Sequence, residues 1–87
     1  MDTRVAVISI IVENKNAIER LNHLLQEESE YIIGRMGIPY REKGVSIISI
    51  VIDAPQDRIS ALSGKLGRME GVSAKTAYSN VITKAEG

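Results

Sequence analysis

His23 is the single histidine of this 87-residue chain, and there is no cysteine, so few side chains could act as a base or bind a transition metal. Glu19 and Glu27 stand four residues before and after it, which would place the three side chains on one face of a helix. Such a row can bind a divalent metal, but charge pairs at this spacing are ordinary on solvated helix surfaces. No serine lies in a G-x-S-x-G nucleophile elbow. We therefore predict a protein without enzymatic activity, cofactor or metal site.

One group of polar residues surrounds a predicted hairpin connection and could recognise an anion or a protein partner. It consists of Arg35, Tyr40, Arg41 and Lys43. The alternative interpretation is a solvated turn whose charges discourage aggregation through the sheet edge.

A second polar group lies where predicted strands begin or end. It consists of Glu13, Asn14, Asp53 and Ser73. Taking the first and third strands to run in the same direction, we expect these residues to converge at one end of the sheet, where they could line a small-ligand site. The alternative is turn and capping chemistry, in which Asn14 or Asn16 caps the first helix.

Nucleic-acid binding has weaker support. Eleven basic and eleven acidic residues cancel, so no overall field attracts the chain to a polyanion. Residues 64–67 (GKLG) match the GXXG loop of KH domains, but Leu66 belongs to an apolar helical stripe. Direct DNA binding remains the alternative function, through one of two basic sets: Arg35, Arg41 and Lys43, or Arg58, Lys65 and Arg68.

Six elements are predicted to position these side chains. Residues 4–12 and 45–53 are almost continuously apolar and β-branched, which is typical of strands buried on both faces. Apolar residues at helical spacing predict amphipathic helices over about residues 17–28 and 56–70. The weaker strands are residues 31–38, which contain Gly34 and Gly37, and residues 72–79, which alternate with polar residues; residues 83–87 are predicted to fray.

This β-α-β-β-α-β order predicts one α+β domain over residues 1–87 with a ferredoxin-like fold. We expect a four-stranded antiparallel sheet in the order 4-1-3-2, with both helices on one face. The two most apolar strands then occupy the centre, and the two weaker strands form the edges.

The face of the sheet without helices is predicted to be apolar. If Ile8, Ile10 and Ile50 pack under the helices, the central strands turn the following residues to the opposite side: Val5, Val7, Ser9, Ile11, Val45, Ile47, Ser49 and Val51. An exposed apolar patch of this kind marks an interaction surface. We expect a homo-oligomer, a dimer or tetramer, whose sheets pack face to face. A monomer with stray surface valines and a different protein on this face are the alternatives.

Membrane association is not expected. No apolar run approaches the roughly 20 residues that span a bilayer. The residues after Met1 lack the basic and apolar regions of a signal peptide. We therefore expect a cytoplasmic protein.

Five segments of the chain resemble one family along nearly its whole length: residues 5–12 (VAVISIIV), 31–44 (YIIGRMGIPYREKG), 52–55 (IDAP), 59–71 (ISALSGKLGRMEG) and 72–79 (VSAKTAYS). Together they resemble the iron-only hydrogenase system regulators, a family related to ACT-like domains and to nickel-responsive regulator C-terminal domains. The resemblance implies a ferredoxin-like, ACT-like oligomer with a regulatory role in the expression or maturation of an iron-only hydrogenase. Together with the apolar central strands, it leads to the hypothesis of a non-enzymatic regulatory module that binds a small ligand or a protein partner.

Two related ligand classes are not supported by the residues. Nickel-responsive regulators bind metal through cysteine and several histidines, whereas this chain has only His23. Typical ACT domains place a glycine in the turn after the first strand to admit an amino acid, and residues 13–16 (ENKN) contain none.

Overall fold

The computed structural model describes residues 2–83, which form four strands and two α-helices. The elements in chain order are β1 (Thr3–Val12), α1 (Ile18–Glu27), β2 (Ile32–Tyr40), β3 (Val45–Ala54), α2 (Gln56–Gly67) and β4 (Val72–Thr83). Short 3-10 turns precede α1 (Lys15–Ala17) and connect β2 to β3 (Arg41–Lys43).

The strands form one sheet in the order β2-β3-β1-β4, with every neighbouring pair antiparallel. This is the order predicted from the sequence, and the ferredoxin-like, ACT-like α+β fold is confirmed. The central positions of β1 and β3 follow from their composition, since strands in the middle of a sheet have both long edges paired and are the most buried.

Both helices pack on one face of the sheet. The strand residues beneath them are buried: Ala6, Ile8, Ile10 and Val12 on β1, and Ile48, Ile50, Ile52 and Ala54 on β3. The helices contribute Leu21 and Leu25 from α1 and Ile59, Leu62 and Leu66 from α2. Alternate residues of each central strand therefore point into one apolar core, as the two-residue period requires.

The helix boundaries follow local chemistry. The Asn14 side-chain oxygen accepts a 3.0 Å hydrogen bond from the backbone N–H of Asn16 and so caps the 3-10 turn that leads into α1. Pro55 stands immediately before α2, where the missing N–H of proline breaks no helical hydrogen bond. Neither described helix is long and apolar enough to cross a membrane.

The expectation that β1 and β3 run in the same direction is wrong. Each helical crossover returns the chain to its starting direction, so β1 and β2 run the same way, and the hairpin then reverses β3. Val5 pairs with Asp53 and Val12 pairs with Ser46. The end of β1 therefore lies beside the start of β3, at the opposite end of the sheet from Asp53.

Two element boundaries also differ from prediction. β2 continues to Tyr40, so the connection shortens to Arg41, Glu42, Lys43 and Gly44, where Gly44 provides a positive φ of 65°. β4 continues to Thr83, because it stays paired with β1 beyond a bulge opposite Arg4 and Ala6. Of the predicted frayed tail, residues 84–87 lie outside the described residues.

Candidate functional site

The side of the sheet opposite the helices, which we call the bare face, presents apolar side chains to solvent. All eight residues predicted for an interface lie there, and none of them is buried: Val5, Val7, Ser9, Ile11, Val45, Ile47, Ser49 and Val51. Cross-strand pairing places them in rows, with Val7 opposite Val51 and Ile11 opposite Ile47. Ile11 and Ile47 are 44% and 39% exposed.

The edge strand β2 enlarges the bare face with three residues that were missing from the predicted set. Met36, Ile38 and Tyr40 pair with Ser49, Ile47 and Val45 respectively. Met36 is 58% exposed and Ile38 is 46% exposed. The spacing of two residues between these side chains could have placed them on one face of a strand. The glycines of β2 instead led to the prediction of a short, weak edge strand.

Charge is nearly absent from this surface. Two charged residues lie among the described strand residues that are paired in register and belong to the bare face. They are Lys75, opposite Ser9 at the β4 edge, and Asp53, at one end of β3. The centre is the neutral pair Ser9 and Ser49. The bare face is therefore suited to burial against another apolar surface.

The predicted small-ligand group does not assemble as a whole. Glu13 and Asn14 follow β1, and Ser73 pairs with Ile11 at the same end of the sheet. Asp53 lies at the far end, about 25 Å away by the strand rise, with its N–H donating to Tyr31 O at 3.0 Å. Asp53 is separated from the others because β1 and β3 are antiparallel.

The predicted hairpin group is also divided. Arg35 lies on the helix side of β2, where its Nη2 donates to Asn22 Oδ1 of α1 at 2.5 Å. Tyr40 donates from its hydroxyl to Glu42 Oε2 at 3.2 Å. Arg41 and Lys43 remain together in the exposed 3-10 turn.

The proposed DNA-binding sets do not form continuous surfaces either. Arg58 lies in the first turn of α2, with its Nε 3.7 Å from Glu28 Oε2 and its guanidinium 5.3 Å from the Tyr31 ring centre. Lys65 and Arg68 lie two to three turns further along α2. Residues 64–67 are part of that helix, so the GXXG match is not a loop.

Lys65 and Arg68 instead line a cleft between α1 and α2, on the opposite side of the sheet from the bare face. The cleft has a volume of about 560 Å³. It is lined by Asn14, Asn16, Ala17, Arg20, Leu24, Lys65, Arg68, Met69 and Glu70. We call it the basic cleft. The sequence offered no periodic signal for it, because its residues come from a turn and from two helices.

The histidine row gives no metal site in the described part of the chain. His23 Nε2 lies 3.7 Å from Glu27 Oε1, and both side chains are largely exposed. Within residues 2–83, no group of three or more histidine, aspartate or glutamate side chains could hold a metal ion.

Comparison with known proteins gives one family. A TM1266-like family model, described as "Iron-only hydrogenase system regulator, putative", matches residues 4–76. The structure of TM1266 from Thermotoga maritima has a TM-score of 0.84 and 40% sequence identity, over 87% of this chain and 96% of that chain. A formyltetrahydrofolate deformylase from Pseudomonas putida KT2440 has a TM-score of 0.64 at 13% identity, over 88% of this chain and 29% of the deformylase. That second likeness concerns the fold alone, and no curated protein matches the chain.

Proposed function

The chain belongs to the TM1266-like family of iron-only hydrogenase system regulators, and we propose that it acts as a non-enzymatic module whose copies associate through the bare face. In this proposal the module is a single cytoplasmic domain that regulates expression or maturation of an iron-only hydrogenase. The observation that supports it most strongly is the exposed apolar surface on β1, β2 and β3.

The size of the bare face supports burial against a partner. Strands lie about 4.8 Å apart and rise about 3.3 Å per residue, so the three apolar strands over seven residues cover roughly 330 Å² of flat area, with Ser9 and Ser49 included. This is comparable with the largest apolar patch on an ordinary monomer, about 300–600 Å², which is often functional. Covering it on two copies at about 25 cal/mol per Å² gains at most roughly 16 kcal/mol, since part of the area is polar, against association costs of about 4–15 kcal/mol.

The neutral centre of the face favours a second copy of this chain as the occupant. A two-fold axis brings the same surface against itself, so like charges near its centre would repel each other. Ser9 and Ser49 occupy that centre, and Lys75 stands at an edge. A partner selected by charge would find almost no complementary group there.

Sedimentation velocity at micromolar concentration tests the assembly. The natural chain should sediment as a dimer or tetramer, and Ile11→Glu should shift it toward monomer because the new carboxylate would be buried without a partner. Ala61→Glu is the matched control, since Ala61 is exposed on α2, on the helix side of the sheet. A monomeric natural chain, or an Ile11→Glu variant that assembles as well as Ala61→Glu, would overturn the proposal.

The regulatory part is tested in the host cell. Deleting the gene should change the amount or maturation of the iron-only hydrogenase, and the natural chain should restore it. Ile11→Glu, expressed at the same level, should fail to do so if assembly is required. Unchanged hydrogenase levels in the deletion strain would refute the regulatory role.

A further inference from the structure

The basic cleft has the size and lining of a small-molecule site. Its volume of about 560 Å³ falls within the roughly 300–1,000 Å³ that is usual for such sites. Ala17 and Met69 are buried and Leu24 is half-buried, so part of the lining is apolar. The remaining lining residues are polar or charged.

The charged lining is unbalanced. Arg20, Lys65 and Arg68 face a single carboxylate, that of Glu70. Among the described residues, none of the three basic side chains forms an ion pair or a side-chain hydrogen bond. Three other arginines are engaged, with Arg4 donating to Ser79 O, Arg35 to Asn22 and Arg58 lying near Glu28.

Helix electrostatics explains only part of this cluster. Lys65 and Arg68 stand at the C-terminal end of α2, where positive charge is favoured by the helix dipole. Arg20 is the third residue of α1, near the positive end of that helix, where a cation is disfavoured. All three side chains are exposed, so water screens their mutual repulsion, and their charges remain available to an anion in the cleft that they line.

The backbone provides room for one of these cations. A Cβ at Gly64 would lie 3.2 Å from Arg68 Nη1 and 3.9 Å from Arg68 Cζ. The guanidinium of Arg68 thus lies over the bare backbone of the preceding helical turn. An alanine at position 64 would displace this guanidinium, so the glycine permits the position that Arg68 takes beside the cleft.

We propose that the basic cleft binds a small organic anion through phosphate or carboxylate groups, held by Arg20, Lys65 and Arg68, with its apolar part against Ala17, Leu24 and Met69. Arginine suits either oxyanion because its planar fork donates two parallel hydrogen bonds. The inference adds a ligand class to the proposed regulatory function. Binding itself does not depend on self-association, since the cleft and the bare face lie on opposite sides of the sheet.

A small molecule fits better than nucleic acid. Arg20, Lys65 and Arg68 bring positive charge together at one cleft, while the basic and acidic residues of the whole chain cancel. Affinity for duplex DNA comes largely from many phosphate contacts along a surface.

Isothermal titration calorimetry with pyrophosphate and with citrate tests the proposal, and sodium chloride at equal ionic strength serves as the reference. The two anions distinguish phosphate from carboxylate recognition. We expect binding of at least one of them, and about tenfold or greater weakening in Arg20→Gln, since hydrogen bonds to charged groups contribute about 1.5–3 kcal/mol. Arg41→Gln is the comparison variant, because Arg41 is an exposed arginine in the hairpin turn.

A second measurement needs no ligand. Removing one cation from an unbalanced cluster should raise the melting temperature of Arg20→Gln in low-salt buffer, and Arg41→Gln should change little. Binding of neither anion beyond the chloride reference, or equal loss of binding in Arg41→Gln, would overturn the proposal. Tighter, strongly salt-dependent binding of a DNA duplex would overturn it in favour of nucleic acid.

Anion binding and self-association can be tested independently. Arg20→Gln should sediment like the natural chain, and Ile11→Glu should retain anion binding as a monomer. Loss of anion binding in monomeric Ile11→Glu would contradict a cleft that is complete within one copy.

Discussion

Replacing Gly71 with alanine probes the contact between the turn after α2 and the turn after β1. Gly71 has a φ of 75°, and a Cβ built on it would lie 2.5 Å from Asn14 Cβ and 3.3 Å from Asn14 N. Its carbonyl accepts a 2.7 Å hydrogen bond from Glu13 N–H, so the backbone cannot retreat without weakening that bond. Asn14 also caps the turn before α1 and lines the basic cleft. We therefore expect Gly71→Ala to destabilise the fold.

The expected loss of stability has two costs and one compensating gain. A side chain in the left-handed region costs about 1–2 kcal/mol, and overpacking costs about 1–3 kcal/mol. Alanine also lowers the conformational entropy of the unfolded chain, which raises the unfolding free energy by about 0.4–1 kcal/mol. We expect Gly71→Ala to lose roughly 2–4 kcal/mol of unfolding free energy. Gly44→Ala is the matched control, because Gly44 also has a positive φ, 65°, but a Cβ there meets nothing within 4 Å. It should lose only about 1 kcal/mol.

Thermal and urea unfolding followed by circular dichroism measure the difference. For a domain of this size 1 kcal/mol shifts the melting temperature by about 4–8 °C, so the two variants should differ by roughly 10 °C. Self-association makes the melting temperature depend on concentration, so both variants are compared at one concentration and again in the Ile11→Glu background. If Gly71→Ala melts within about 3 °C of Gly44→Ala, the contact with Asn14 is not the cause and the reasoning is refuted.

Three further predictions follow from the packing. Gly64→Ala should raise the unfolding free energy by roughly 0.5–1 kcal/mol in urea titrations, because alanine favours the helix interior and only the flexible end of a side chain must shift; a loss of stability would contradict this. Ile50 is fully buried, so Ile50→Ala should lower the unfolding free energy by about 2–5 kcal/mol. Met36 is exposed, so Met36→Ala should leave the unfolding of the monomer nearly unchanged and should weaken the association that sedimentation measures. Equal losses of unfolding free energy in the two variants would contradict the assignment of Ile50 to the core and Met36 to the bare face. Ser63→Ala should lose about 1 kcal/mol through the half-buried 2.7 Å hydrogen bond with Thr76, and a double-mutant cycle with Thr76→Val should show a smaller loss than the sum of the two single changes.

The core and the bare face were predictable because both depend on a local period. Alternate residues of a strand point to opposite sides, so once Ile8 and Ile50 are placed under the helices, Val7 and Val51 must lie on the other side. The same alternation continues through Met36 and Ile38. Their contribution was missed because the glycines of β2 obscured a strand that in fact extends to Tyr40.

The candidate binding residues were less predictable, because they come together only through the direction and crossing of distant elements. Glu13 and Asp53 were expected at one end of the sheet, but the hairpin reverses β3 and separates them. Arg35 is close in sequence to Arg41, yet the strand turns it toward Asn22 of α1. Neither outcome can be obtained from spacing along the chain.

The sequence by itself determined the element order, the central strands, the apolar core and the apolar character of the bare face, since each follows from residue type and a repeat of two or 3.6 residues. Family membership also followed from the order of residues. The tertiary structure alone decided that Asp53 is remote from Glu13 and that Arg20 meets Lys65 and Arg68 in one cleft. The physical reason is that periodicity assigns a residue to a face of its own element, whereas the meeting of two elements depends on how the whole sheet directs and covers them.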